Sequence, residues 1–259
     1  MDEPLLLSSQ EGQVARLALN RPKQRNALSV ALMAALQDEL DRLARRSDVH
    51  VIVIAGRGRA FCAGHDLKEI REHPGADNYN RLFDQCSRLM TTIVRLPKPV
   101  IASVGGIATA AGCQLVASCD LAVASVQAAF ATPGVNIGLF CSTPMVALSR
   151  NVARKHAMEM LLTGDVIDAV RARELGLVNR VVAAGDLDSA TARMARTIAS
   201  KSPLTLAIGK EAFYRQLEMP LDEAYAYASR VMTDNMLKRD AREGIDAFLG
   251  KRAPQWQGE

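Results

Sequence analysis

The sequence predicts an α/β fold in which a mostly parallel sheet carries helices on its outer side and a helical region follows. Strand-like and helix-like segments alternate through residue 130, a pattern typical of parallel sheets. From Ser142 onward the segments have helical spacing, apart from one brief strand at 178–182. Two of the buried strands are followed by glycine-rich turns, and these turns are where we expect the functional site.

The composition fits a protein with a sizeable core. Of the 259 residues, 49% are hydrophobic, which suits one large domain or one domain with a small appendage. We predict a core at 1–195 and a helical C-terminal region at 196–259. Because no low-complexity linker separates them, the helical region is expected to pack on the core or on a neighbouring subunit.

Charge and hydropathy exclude several classes of protein. Aromatic residues make up only 4% of the chain and the net charge is +4, so a nucleic-acid surface is not indicated. A site for a phosphate-bearing small molecule suits this modest basic balance. No apolar run reaches the ~18 residues that a membrane span needs. The acidic start, MDEPLLLSSQEG, resembles neither a transit peptide nor a signal peptide, so we expect a cytoplasmic protein.

The cysteines and histidines do not indicate a disulfide framework or a metal site. The chain has five cysteines, an odd number, with no CxxC pair. We expect them to be small buried hydrophobic residues. The four histidines, His50, His65, His73 and His156, show no metal-ligand spacing.

The first elements can be assigned from turn signals and periodicity. Residues 14–19 alternate like a strand, and Ser29 resembles a helix N-cap with leucines at helical spacing behind it. Residues 49–55 form a continuous apolar strand. Gly56 and Gly58 follow, but the third glycine of a dinucleotide-binding fingerprint is missing, which weakens that alternative. A serine hydrolase is disfavoured because the chain has no G-x-S-x-G elbow.

Helices dominate the remainder of the chain. A long amphipathic helix at 79–96 is stopped by Pro-Lys-Pro at 97–99, before a buried strand at 100–104. Further helices are predicted at 143–149, 154–162, 169–175, 186–200, 203–217, 221–235 and 240–249.

The stretch after the strand at 100–104 is the centre of the predicted site. Gly105 and Gly106 break the strand, and a run of small residues at 108–112 leads into a helix at 113–118. A strand, a glycine turn and a helix start in this order aim unpaired backbone N–H groups at one point. We interpret this turn as half of an oxyanion hole for a thioester; a tightly packed strand–helix crossing is the alternative. The turn at Gly64 repeats the arrangement.

Several segments, taken in order, resemble the enoyl-CoA hydratase/isomerase (crotonase) superfamily over nearly the whole chain. The resemblance implies a crotonase (ClpP/crotonase-like) fold, a superhelix of repeated ββα units with a helical C-terminal region for oligomerisation and pocket closure. The segments are LNRP at 19–22, NAL at 26–28, FCAGHDLK at 61–68, KPVIA at 98–102, GCQL at 112–115, CDLA at 119–122, TG at 163–164, ELGLV at 174–178 and AFLGKR at 247–252.

The resemblance implies an acyl-CoA thioester as ligand, with coenzyme A belonging to the substrate and no separate cofactor. It also implies a homotrimer or a dimer of trimers. By position, the two oxyanion donors are the backbone amides of His65 and Ala111. Losing one such donor typically costs ~10²–10³ in rate.

Residues matching CoA-contacting positions lie in three parts of the chain. Ala63 is implied to line the adenine pocket. Asp66 is implied to contact the substrate, and the alternative is that its charge stabilises the end of a helix. Each cation taken alone could be a solvated surface charge. The other implied substrate-binding residues are Arg25, Arg59, Leu67 and Lys68, with Phe248 and Lys251 often reaching a neighbouring subunit's ligand.

The sequence departs from the family at the positions of the two catalytic glutamates. Gln114 stands at the first and Gly134 at the second, and Asn136 stands where dienoyl-CoA isomerases carry an acid. An amide cannot exchange a proton near neutral pH. General acid–base help is worth ~10²–10⁴, so we expect the ordinary hydratase route to be nearly silent. The His65 side chain titrates in a useful range, but it could equally point away.

Two functions therefore stay open. The first is an enzyme of the hydratase or isomerase type whose reaction needs only the oxyanion hole. Isomerase, thioesterase and decarboxylase-like reactions meet this condition. The second is a non-catalytic acyl-CoA-binding or regulatory protein.

Overall fold

The computed structural model describes residues 3–259, in which the strands of two sheets alternate with helices before a helical region completes the chain. The strands are β1 (Leu6–Glu11), β2 (Val14–Leu19), β3 (Val51–Gly56), β4 (Ala60–Cys62), β5 (Val100–Val104), β6 (Ile107–Thr109), β7 (Leu121–Ser125), β8 (Ala129–Ala131), β9 (Ile167–Asp168) and β10 (Arg180–Val182). The α-helices are α1 (Val30–Ala44), α2 (Leu67–Glu72), α3 (Ala76–Arg95), α4 (Ala111–Ser118), α5 (Ser142–Leu148), α6 (Arg154–Thr163), α7 (Ala169–Glu174), α8 (Leu187–Ala199), α9 (Pro203–Gln216), α10 (Leu221–Met236) and α11 (Arg239–Leu249).

The larger sheet has six strands in the order β1-β2-β3-β5-β7-β10. Only the β1–β2 pair is antiparallel, so the predicted mostly parallel sheet is confirmed. Because side chains alternate along a strand, Val51 and Val53 pack against α8, whereas Ile52 and Ile54 face the main core. Burial on both faces explains the continuous apolar pattern of β3.

The smaller sheet has four short strands in the order β4-β6-β8-β9. Its first three strands are parallel and follow β3, β5 and β7 directly in the chain. Each pair of strands is then followed by a helix, which gives the repeated ββα unit of the predicted fold. These three-residue strands were not identified from sequence, because they are too short to show alternation.

Sequence-derived element boundaries agree closely with the structure. The Ser29 side chain caps α1 by accepting a hydrogen bond from the Leu32 amide at 3.1 Å. Helix α3 begins three residues before the predicted position, and the strand predicted at 178–182 is shortened to β10. Strand β1 was missed, because polar residues at 8–11 weaken its apolar signal.

Helix α9 is attached to the core through Asp120, which lies just before β7. Its carboxylate accepts hydrogen bonds from Lys210 Nζ at 2.7 Å and the Tyr214 hydroxyl at 2.9 Å, both on α9. It also accepts the Val100 amide at the start of β5, at 2.6 Å. The predicted boundary between residues 195 and 196 lies within α8 and stays a prediction.

All five cysteines are free and buried. Burial raises the pKa of the Cys62, Cys86 and Cys113 thiols to about 12. Within residues 3–259, no helix is long and apolar enough to cross a membrane.

A substitution at Gly112 tests the close packing between α4 and β4. A Cβ added there would overlap the carbonyl oxygen of Cys62, which is backbone and cannot rotate away. We expect Gly112→Ala to lower the free energy of unfolding by about 3 kcal/mol, measured by urea denaturation. Gly185→Ala is the matched control, because a Cβ at Gly185 meets nothing within 4 Å. Equal stability of the two variants would contradict this packing.

Candidate active site

Three loops meet at one edge of the smaller sheet. The loops that contain Gly64, Ala111 and Gly134 follow the neighbouring strands β4, β6 and β8. Since these strands are parallel, their carboxyl ends lie at the same edge of the sheet. This is the edge at which open parallel sheets hold ligands.

The first loop is held by an earlier segment of the chain. The Ala63 amide donates to the Arg25 carbonyl at 3.0 Å, and the Leu28 amide donates to the Gly64 carbonyl at 2.8 Å. The Asp66 amide then donates to the Leu28 carbonyl at 3.1 Å. The two segments that carried the N-terminal part of the family resemblance are thus paired. This pairing fixes the backbone on both sides of His65.

The second loop contains a strained residue immediately before α4. Ala110 has φ 50° and ψ −118°, a conformation that is costly for a residue with a Cβ. Its amide donates to the Ala131 carbonyl at 2.9 Å, which ties the loop to β8. Ala111 follows as the first residue of α4, where a helical N–H has no partner within its own helix. The strain at Ala110 therefore directs the chain into the helix at the candidate donor.

The first two loops are in contact. A Cβ placed on Gly64 would lie 3.0 Å from Ala110 Cβ and 3.5 Å from the Ala111 nitrogen. Gly64 has φ 93°, which favours glycine, and its carbonyl carbon is bonded to the His65 nitrogen. The structure thus brings the two candidate donor residues, His65 and Ala111, to neighbouring positions.

The positions of the family glutamates lie on the second and third loops. Gln114 is buried on α4, with its Oε1 3.9 Å from Cys86 Sγ on α3. Gly134 is also buried, and a Cβ there would lie 2.6 Å from the Leu139 carbonyl oxygen and 2.9 Å from Cys141 Sγ. The third loop therefore excludes a side chain at position 134. Neither position offers a proton-exchanging group.

The His65 imidazole is buried against α3. Its edge contacts the Phe83 ring, with centroids 5.7 Å apart. Both ring nitrogens are buried and find no hydrogen-bond partner among residues 3–259. Burial lowers the pKa of His65, so the imidazole is neutral near pH 7. In this conformation the ring does not present a nitrogen at the surface of the site.

Asp66 supports the first loop through an ion pair. Its carboxylate caps α2 by accepting the Lys68 amide at 3.2 Å, and it pairs with Arg21 at 2.8 Å. Arg21 also donates to the Ala27 carbonyl at 2.6 Å. Burial is the largest single influence and opposes ionisation of Asp66. The hydrogen bond and charge of Arg21, together with the amides of Lys68 and Glu69, outweigh burial and hold the pKa of Asp66 below its ordinary value. The helix-end role weighed for Asp66 matches these contacts, whereas Arg21 was not recognised from sequence.

The remaining candidate residues lie around this edge or on α11. Arg25, Arg59, Leu67 and Lys68 are exposed, and Ala63 is half-buried. Asn136 is exposed on a 3-10 turn over Pro133–Ile137. Phe248 and Lys251 are not brought to the three loops within the chain: α11 packs mainly against α9 and α10, and the Phe248 side chain is 82% exposed.

Comparison with known proteins gives concordant results. The model of the family "Enoyl-CoA hydratase/isomerase" matches residues 9–259. Human enoyl-CoA hydratase domain-containing protein 3, mitochondrial, is 50% identical over 246 residues, covering 95% of this chain and 81% of that protein. The 2,3-dehydroadipyl-CoA hydratase of Escherichia coli is 35% identical, with 98% of each chain covered.

Solved structures agree. The crystal structure of an enoyl-CoA hydratase from Mycobacterium smegmatis superposes with a TM-score of 0.96 at 54% identity, covering 98% of this chain and 99% of that one. Human enoyl-CoA hydratase domain-containing protein 3 gives a TM-score of 0.95 at 49% identity, covering 98% and 100%. The predicted crotonase fold is confirmed, and the similarity to human enoyl-CoA hydratase domain-containing protein 3 extends over nearly the whole chain.

The expected cytoplasmic location is contradicted. The names of the similar rat, human and mouse proteins describe them as mitochondrial. The prediction was wrong because it depended on the composition of the first twelve residues. Residues 6–11 of that segment form strand β1 of the larger sheet, so their composition reflects the fold and not a location.

The Arg21–Asp66 ion pair gives a pH-dependent prediction. We expect Asp66→Asn to cost about 1.5 kcal/mol at pH 7, since asparagine keeps the helix cap but loses the charged partner. Because the folded-state pKa of Asp66 is lowered, its contribution is present above the ordinary value of 3.8 and is lost as the pH falls through the folded-state value.

The measurement is urea denaturation of both proteins between pH 7 and pH 3. Asp84→Asn, on the exposed side of α3, is the matched control. A stability difference that did not shrink at acid pH would contradict the role of this ion pair.

Proposed function

This chain belongs to the enoyl-CoA hydratase/isomerase family, and we propose that it binds an acyl-CoA thioester through the backbone amides of His65 and Ala111. The observation that carries the proposal is the contact between the two loops, in which the Ala111 nitrogen lies 3.5 Å from a Cβ position on Gly64. One carbonyl oxygen then receives both hydrogen bonds. These donors stabilise the negative charge that develops on the thioester oxygen when an enolate forms.

The local electrostatics support this role. Ala111 begins α4, an eight-residue helix whose N-terminus carries partial positive charge. The surroundings are apolar and buried, so hydrogen bonds to a developing anion are stronger there than in water. Backbone donors also need no particular side chain at residues 65 and 111.

Cations near the first loop suit the phosphates of coenzyme A. Arg25, Arg59 and Lys68 are exposed close to Ala63, which we propose as part of the adenine pocket. Leu67 is 54% exposed beside them and offers an apolar contact. Asp66 acts indirectly, by fixing the loop.

The missing acids define the chemistry. With Gln114 and Gly134 in place of the two glutamates, addition of water by a carboxylate pair is unavailable, and Asn136 is not an acid. We therefore propose a hydratase- or isomerase-type reaction that depends on the oxyanion hole, with substrate groups or water completing proton transfer. Isomerase, thioesterase and decarboxylase-like reactions fit this requirement.

A second candidate is a non-catalytic acyl-CoA-binding protein. The packing at Gly134 favours it, because the loop backbone occupies the space that a second carboxylate would need. Such a protein keeps the thioester pocket and lacks the groups that move protons.

We further propose a homotrimer or a dimer of trimers. Helices α9–α11 expose large apolar side chains, which normally mark an interaction surface. Phe248 and Lys251 would then approach the CoA of a neighbouring subunit. The exposed apolar side chains include Phe213, Leu217, Leu221, Tyr225, Leu237, Phe248 and Leu249.

Binding and turnover separate the two candidates. We expect calorimetry to detect binding of CoA and of acyl-CoA thioesters, with the thioester carbonyl adding affinity. A panel of acyl-CoAs is then screened for products by mass spectrometry. Any product formed by catalytic amounts of protein supports the enzyme, whereas binding without product across the panel favours the second candidate. Absence of binding would contradict both.

Gln114→Glu tests whether the pocket retains hydratase geometry. We expect this change to raise crotonyl-CoA hydration about 10²-fold over a low background, since one general acid–base group is restored. Gly134→Glu is not combined with it, because the added side chain would collide with the Leu139 backbone. Hydration is followed by loss of enoyl thioester absorbance.

Gln127→Glu, at an exposed position after β7, adds the same charge outside the site. Fast hydration by the unmodified protein would overturn the proposed loss of acid–base catalysis. No gain from Gln114→Glu would mean that Gln114 does not face the thioester.

A further inference from the structure

A second cavity lies at the opposite end of the larger sheet, where strands β3 and β5 begin. Its volume is about 620 Å³, within the ~300–1,000 Å³ range of small-molecule sites. It lies between the ends of α1 and α8, the first turn of α9 and the C-terminal segment 256–258. The thioester site lies beyond the carboxyl ends of the strands, so the two sites are separated by the length of the sheet.

The lining of this cavity is basic. Arg45, Arg46, Lys98 and His50 line it, and no aspartate or glutamate from residues 3–259 does. Arg46 is neutralised by an ion pair with Asp48. Arg45 has no carboxylate partner within the described chain. Arg45 and Lys98 thus both line a cavity that contains no aspartate or glutamate from residues 3–259, and neither has a carboxylate partner in that part of the chain.

The charge on Lys98 indicates an anion site more strongly than the charge on Arg45, because Lys98 is buried. The residue is only 8% exposed, and its ammonium donates to the carbonyl oxygens of Arg46 and Val49, the latter at 2.7 Å. Two acceptors serve three ammonium hydrogens, and no carboxylate within residues 3–259 lies in ion-pair range. Burial lowers the pKa of Lys98 despite the attraction of Asp48. A buried charge without a counter-charge is costly, and a bound anion would offset that cost.

The remaining walls suit an organic group attached to the anion. Trp256, Leu204 and Ala207 supply apolar surface. The indole Nε1 of Trp256 donates to the Ser200 carbonyl at 2.9 Å, which holds the ring in place. The segment after it is held by Asp240, which is 1% exposed and accepts the amides of Gln257 and Gly258 at 2.7 and 3.1 Å. The cavity wall is therefore ordered by specific hydrogen bonds.

We infer that this cavity binds a phosphate ester of about nucleotide size, with its phosphate groups on Lys98 and Arg45 and its organic part against Trp256. Phosphate fits because it accepts several charge-assisted hydrogen bonds from separate cations. The site is distinct from the thioester pocket and does not depend on the proposed function.

The test is calorimetry on the full-length chain with ADP, inorganic pyrophosphate and adenosine as probes. CoA is left out, because its own phosphate groups would compete for this cavity. ADP bound in the thioester pocket would not depend on Arg45, so the Arg45→Gln variant separates the two sites. We expect one ADP per chain, competition by pyrophosphate, and no binding of adenosine, which lacks phosphate. Arg45→Gln removes an exposed cation and is expected to weaken ADP binding at least tenfold. Lys98→Gln is expected to weaken it further where the variant folds.

Arg193→Gln, an exposed arginine on α8 outside the cavity, is the matched control and should bind ADP normally. The inference is overturned by absence of ADP binding, by equal binding of adenosine, or by ADP binding that Arg45→Gln leaves unchanged. Equal weakening by Arg193→Gln would indicate non-specific attraction and would also overturn it. A second copy of the chain that fills the cavity would appear as a lack of ADP binding in the oligomer.

Discussion

The close approach of backbone to backbone within the smaller sheet is the constraint on which the candidate site depends. A Cβ at Gly106 or Gly112 would overlap the carbonyl oxygen of Arg59 or Cys62, respectively. Only glycine lets the second ββα unit pack this closely on the first. Because of that packing, the loops after β4 and β6 touch at Gly64 and Ala110. A larger residue at either glycine would separate the loops before it changed any side chain of the site.

The polarity of this site resides mainly in the main chain. Ala110 holds a conformation that costs about 1–3 kcal/mol and is stabilised by its hydrogen bond to Ala131. The proposed donors, the backbone amides of His65 and Ala111, do not titrate. The amide side chain of Gln114 and the glycine at position 134 do not titrate either. His65 lies in the first loop, and burial keeps its imidazole neutral near pH 7 by lowering its pKa. The binding interactions proposed for the thioester are therefore insensitive to pH, whereas the loop that carries them depends on the ionised state of Asp66.

The sequence predicted the larger elements well because their signals are long and local. The helical spacing of the leucines in α1 and the apolar run of β3 each extend over five or more residues, and Ser29 marks the start of α1. All three features appear in the structure. The strands β4, β6 and β8 were missed, since three residues are too few to reveal a period. The order of motifs implied which loops meet, but three physical features could be found only in three dimensions. These are the strain at Ala110, the ion pair between Arg21 and Asp66, and the lack of space at Gly134.

The burial of all five thiols has a consequence for handling and probing the protein. A thiol whose pKa is near 12 is almost never the reactive thiolate at neutral pH, and at Cys62, Cys86 and Cys113 the side chain is also out of reach of solvent. Air oxidation and intermolecular crosslinking should thus be slow while the chain stays folded. A maleimide or disulfide reagent would label these positions only when the core opens. The rate of labelling therefore measures local unfolding.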